Sequence, residues 1–374
     1  MASRRLPFRC FALIGLVAPG CATSGTAKDL DPNPNTAKDL DPNPNTDWLG
    51  VTAGDEAGSE TELAADMAEL FASTAQLRVA PVPGDSGLKN ISRLLHDPHI
   101  DAGFVSTDVL ADANAQNAFP NLAKKLEVVA RFCPQEVHVL ARQDIKDLTD
   151  LARKKVNFGP DGSSSAVTES ILFKALGIGV VPVALDGRAA VDQLTEGLIA
   201  ADVIVGAKPV PFIAGIPASK GLHLLPIAFS GSLEEAYIPT GLDHDDYPNL
   251  IEMETEIPSV ATGLVLVTAA EKDDAGHTAR VARLVDSVFS HFSELKRHGQ
   301  HPKWREINLA ANLPGWKRNP AAVAWLSQHS DVSAQSDPQA DIGAGAVQSS
   351  LPAGQDPREA LFKQFIEWQR ARGH

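Results

Sequence analysis

The chain has 374 residues, 44% hydrophobic and 21% charged, with a formal charge of −14. That length exceeds one comfortable core and predicts two compact lobes plus tails. The acid excess argues against nucleic acid or an anionic membrane face as a partner, since both would repel it, and suits a dispersed, soluble monomer.

Residues 1–22 read as an export signal. Arg4, Arg5 and Arg9 form a basic head, residues 11–17 an apolar run too short to span a bilayer, and Pro19, Gly20 and Cys21 end it. The segment 18–21 (APGC) loosely resembles a lipoprotein processing box in which Cys21 would be lipidated; plain cleavage near Ala22 is the alternative. Residues 27–36 (AKDLDPNPNT) recur as 37–46, and their prolines block helix and sheet, so 23–46 is expected to be a disordered spacer. Beyond the leader only Cys133 remains, beside Pro134, which leaves no disulfide framework and suits a small core residue.

From residue 47 the pattern alternates strand and helix. Strands are predicted at 48–52, 77–82 and 100–106. Helices at 60–73, from 88 and from 107 follow them, with apolar residues at helical spacing. Residues 126–131 and 136–142 read as two further strands. The alternation restarts with strands at 155–158, 180–185 and 201–205 and helices at 167–176 and 189–198. A β-rich run at 259–268 precedes a helix over 277–297. Repeated β-α units mean mostly parallel sheets flanked by helices, an α/β fold, with ligands bound at strand C-terminal ends. Residues 331–356 read as a flexible loop and 357–374 as an amphipathic C-terminal helix docked on the body.

The most informative loop is 157–168 (NFGPDGSSSAVT). A strand ends, glycines permit a turn, and a helix opens whose hydroxyls and free N–H groups suit a carboxylate or phosphate. A serine that merely caps its own helix fits the same pattern, and Asp161 would repel an anion unless it meets an ammonium group. In 202–209 (DVIVGAKP), Gly206 permits close approach and Lys208 offers a cation. Residues 84–86 and 106–108 are the equivalent loops of the first unit. The histidines lack ligand spacing, the 243–246 run (DHDD) reads as a solvated acidic loop, and nucleophile elbows, phosphate loops and zinc-protease motifs are absent from the sequence.

In order along residues 48–326, the segments FVSTD (104–108), EVHVLAR (136–142), DLTDLARKKVNFGPDGSSSAVT (147–168), ADVIVGAKPVP (201–211), SVATGLVLVTA (259–269) and REINLAANLPGW (305–316) resemble the TAXI-type solute receptors of TRAP transporters, within the type II periplasmic binding proteins. The resemblance implies a two-lobed receptor: 47–138 with 262–330 as one lobe, 139–261 as the other, and two crossing strands as a hinge. It implies capture of a small organic acid or amino acid in the periplasm and delivery to membrane permease subunits, with neither cofactor nor metal. Carried onto this sequence, the cleft residues are Ser86, Asn90, Ser106, Asp108, Ser163, Ser164, Ser165, Gly206 and Lys208. The first loop, 52–56 (TAGDE), departs from the family's glycine- and threonine-rich pattern. A ligand sensor coupled to a membrane signalling protein, and an enzyme on the same scaffold, are the competing readings.

Overall fold

Hydrophobic alternation and short glycine-bearing turns lay down strands and helices in the anticipated order. The computed structural model describes residues 48–329, apart from 55–58, 76, 85–86, 235, 273, 275 and 298–299. The export signal with Cys21, the decapeptide spacer, the 331–356 segment and the C-terminal helix lie outside the described residues, as does Ser86.

The first half runs β1 (Trp48–Thr52), α1 (Ser59–Thr74), β2 (Arg78–Val82), α2 (Gly87–His96), β3 (Ala102–Ser106), α3 (Thr107–Ala115) and the short α4 (Leu122–Lys125). After the long β4 (Leu126–Arg142) come β5 (Lys155–Asn157), α5 (Ser164–Leu176), β6 (Val181–Val183), α6 (Gly187–Thr195), β7 (Ala201–Gly206) and α7 (Pro211–Ala214). Then follow β8 (Leu222–Leu224), β9 (Ile238–Asp243), β10 (Glu256–Ala269), α8 (His277–Ser290), α9 (Phe292–Leu295) and α10 (Pro320–Gln328).

The strand order is β2-β1-β3-β10-β4-β7-β5-β6, with β8 on β4 and β9 on β10. β1 pairs in parallel with β2 and β3, and β5 in parallel with β6 and β7. Each trio therefore has the same arrangement, its second strand outermost and its third innermost. β3 then meets β10 antiparallel, and β7 meets β4 antiparallel. The sequence reading gives each half its own sheet. The hydrogen bonding is instead continuous, because β4 and β10 run through both halves and pair with one another from Ala261↔Glu136 to Ala269↔Leu126.

The two strands expected at 126–131 and 136–142 are thus one strand of 17 residues. Pro134 accounts for the misreading. It has no N–H for the ladder, and instead of ending the strand it sits where the register slips between Gly263 and Val265. β9 went unanticipated, and the helix expected over 277–297 is divided between α8 and α9 at His291.

Both faces of the sheet are buried, as parallel strands require. In the first half Phe104 and Leu266 join α1 and α8 residues such as Phe71 and Val285 on one face, while Val105 and Val265 join Ile91 and Val109 on the other. In the second half Val139 and Val203 pack with Leu172 and Phe173 of α5, and Leu140 on the opposite face packs with Leu194 and Ile213.

Candidate functional site

Each half places its helix N-termini at the C-terminal ends of parallel strands, and the structure brings the two sets together. Gly87 opens α2 with φ +59°, and a Cβ there would lie 2.8 Å from the Gly162 carbonyl oxygen and 2.9 Å from Ser164 N. Only glycine allows that approach. Val167 of α5 packs against the first half's core. Further along the seam, Ala207 N donates to Ser59 Oγ at 3.3 Å, so the start of α1 meets the end of β7.

Asp108, in the first turn of α3, is the centre of the meeting point. Its Oδ1 accepts from Thr262 Oγ1 at 2.9 Å and from Val109 N at 2.9 Å. Its Oδ2 is buried. The buried hydroxyls of Thr168 and Ser106 lie beside this carboxyl and act on it as hydrogen-bonding groups. Burial raises the Asp108 pKa, and the surrounding hydroxyls and the Val109 amide only partly oppose it.

Tyr237 reaches the same place from the second half, its hydroxyl donating to the Thr168 carbonyl at 3.0 Å. Beside Thr168, Glu169 is fully buried and neither of its carboxyl oxygens has a partner. Burial first, and then the neighbouring Asp202, push its pKa well above the usual carboxylate range. Asp202 Oδ1 accepts from Asn157 Nδ2 at 2.7 Å, and burial raises its pKa to about 7.

The remaining residues expected at the site are committed differently. Asn90 spans β1 and β3, accepting from Thr52 Oγ1 at 2.7 Å and donating to the carbonyls of Ala53 and Phe104 at 3.0 and 2.9 Å. Ser163 caps α5 by accepting from Ala166 N at 3.1 Å. Ser164 is buried in the first turn of α5, and Ser165 Oγ accepts from Val205 N at 3.3 Å. Gly206 ends β7 opposite Glu136. Lys208 Nζ is held by Asp246 at 2.7 Å and the Gly241 carbonyl at 2.8 Å, so part of the acidic run at 243–246 serves as its counterion. Ser106, Asp108 and Thr168 therefore meet, the 162–164 backbone lies against Gly87, and Gly206 and Lys208 lie with the α1 contact. Thr168, Glu169, Tyr237 and Thr262 were missed. A threonine and a glutamate on the buried side of α5, and a threonine inside the apolar run of β10, were the available signals.

Below this seam the crossing strands carry a second polar network. Glu136 accepts from Lys303 Nζ at 2.7 Å and from Lys208 N at 2.9 Å. Burial opposes the Lys303 charge, yet Glu136 and Glu306 hold its pKa above the ordinary value. Burial lowers the His138 pKa to about 4, so the ring is neutral near pH 7. Its Nδ1–H donates to the Ile204 carbonyl at 3.2 Å, leaving Nε2 to accept from Tyr247 Oη at 2.7 Å.

One chain of hydroxyl, imidazole and carboxyl does occur. His277 Nδ1 lies 2.8 Å from Asp101 Oδ1, and its Nε2 lies 3.4 Å from Thr268 Oγ1. Thr268 gives its proton to the Asp101 carbonyl at 2.7 Å, and all three side chains are buried. That arrangement ties α8 to β10 and to the residue before β3, and it exposes no nucleophile. Among the described residues no group of three or more His, Cys, Asp and Glu side chains could hold a metal ion, and no helix is long and apolar enough to cross a membrane.

Solved structures with a related chain path include a periplasmic transporter (15% identity, 76% of this chain and 93% of that one, TM-score 0.45). The periplasmic aliphatic sulphonate binding protein SsuA from Escherichia coli is another (18%, 76% and 91%, TM-score 0.37). The effector binding domain of QuiR, in complex with shikimate, is a third (13%, 65% and 97%, TM-score 0.38). Residues 62–316, about two thirds of the sequence, match the NMT1-like family, and the chain belongs to that family.

Proposed function

We propose that this protein is an extracytoplasmic solute-binding receptor that closes two lobes on a small organic acid or amino acid and hands it to a TRAP-type membrane permease. The observation that carries this reading is the meeting of the two halves at their strand C-terminal ends, Gly87 against the 162–164 backbone and Asp108 against Thr168. In open α/β sheets that edge is where ligands bind, and two such edges facing one another form a clamp. The lobes in this reading are 47–138 with 262–330, and 139–261. β4 and β10 are the hinge, and opening needs φ/ψ changes at only a few of their residues. The first turns of α2, α3 and α5 supply backbone donors for a ligand carboxylate. Export, with or without a lipid on Cys21, would bring the receptor to its permease.

Native mass spectrometry of gently purified protein tests this. The expected result is a stoichiometric small molecule that survives prolonged incubation unchanged and that unlabelled excess displaces. A bound molecule converted to another species would make the protein an enzyme instead.

A further inference from the structure

The Asp108 carboxyl draws its surroundings from both halves. Val109 N and Thr262 Oγ1, each at 2.9 Å, and the Ser106 hydroxyl belong to the first half. The Thr168 and Tyr237 hydroxyls, which also act on it as hydrogen-bonding groups, belong to the second. The residue is 4% exposed. Hinge opening at β4 and β10 would leave the first set in place and exchange the second for water. Among the titratable groups on the elements around it, Asp112 of α3 and Lys89 and Arg93 of α2 stay with the first half. Arg93 is held by the Pro83 carbonyl, and the exposed Lys89 runs past Gly162. The second half brings Tyr237 and Glu169, and Glu169 pairs electrostatically with Asp202 in its own half. Closure therefore brings cover from these groups and no counterion. Loss of water disfavours the charged form, whereas a hydroxyl donates to a carboxylate or accepts from the acid and so discriminates less. Burial raises the Asp108 pKa accordingly.

From this we infer that closing of the two lobes takes up a proton on Asp108, so that the receptor closes more firmly, and holds its solute more tightly, as the medium acidifies. The inference rests on the receptor reading above. In the open form the carboxyl meets water and titrates near the ordinary aspartate value of about 4. Below that value both forms carry the proton and pH has no effect. Above it the closed form must keep the proton or bury a charge, and closure weakens until the closed form ionises too. A protonated Asp108 also spares a solute carboxylate in the seam from like-charge repulsion.

The test follows amide hydrogen exchange in the full chain, stripped of small molecules, from about pH 4.5 to about pH 8, corrected for intrinsic exchange rates. Protection of residues 87–90 of α2 and of 163–168 at the start of α5 should fall together as pH rises, by up to about tenfold per unit. Asp108→Asn, uncharged at every pH, should make both segments independent of pH, while Glu169→Gln should leave the fall in place. A flat wild-type profile overturns the inference without recourse to any variant. An equal fall in Asp108→Asn overturns it as well, as does a loss of protection confined to one segment, which is fraying of a single helix. A fall abolished by Glu169→Gln assigns the proton to the acids of the second half and also overturns it. The receptor reading fails on a separate result, native mass spectrometry that recovers no bound molecule from the unstripped protein.

Discussion

At the scale of single residues, the buried acids set how stability depends on pH. Asp202 keeps its proton to about pH 7 in the folded protein but would lose it near pH 4 when unfolded. Below the unfolded value both states are protonated and nothing is lost. As pH rises from about 4 to about 7 only the unfolded state ionises, so folding stability falls, by up to about 4 kcal/mol for this group. Denaturant unfolding of the ligand-free protein should show that decline, and Asp202→Asn should flatten part of it. An unchanged slope would show Asp202 to be better solvated than its burial indicates. Tyr247 supports a similar argument. Its hydroxyl donates to His138 and accepts from Val210 N at 2.9 Å, so Tyr247→Phe strands two buried groups. A loss of about 1–3 kcal/mol is expected, measured as a shift in the urea midpoint at constant slope.

At the scale of elements, Glu136 joins β4 to Lys303 and to the turn after β7, and it stands where β4 begins to pair with β7. Lys303→Met leaves a buried carboxylate uncompensated and should cost about 3–5 kcal/mol, whereas replacing Glu136 and Lys303 together with apolar residues should cost much less. A double-mutant cycle by chemical denaturation measures the difference. This pair was not legible in the sequence, because its partners are 167 residues apart and nothing local links them. The element types were largely legible: period-two and helical spacing located β1 to β3, β5 to β7 and most helices. Pro134 hid the unity of β4 because proline ordinarily ends a strand, and only the opposing bulge near Gly263 absorbs it. Lys208 shows the same limit at the site. Its sequence context offers a free cation, but the fold supplies Asp246 as its counterion.

At the scale of the whole molecule, the repeated β-α order predicted two like halves, and the twin trios β2-β1-β3 and β6-β5-β7 have that form. Ser106, Asp108 and the 163–165 turn were expected to line a cleft, and Asp108 meets Thr168, one helical turn beyond Ser165. The acidic character of the meeting point was not, because Thr168 and Glu169 look like ordinary helix residues until the halves close over them. The central claim is that the ligand lies in that seam. A crystal structure of the protein carrying its co-purified molecule tests it most directly. The account predicts ligand density enclosed by Asp108, Thr168 and the 163–165 turn. Density on an outer face, with that seam closed and unchanged, would contradict it.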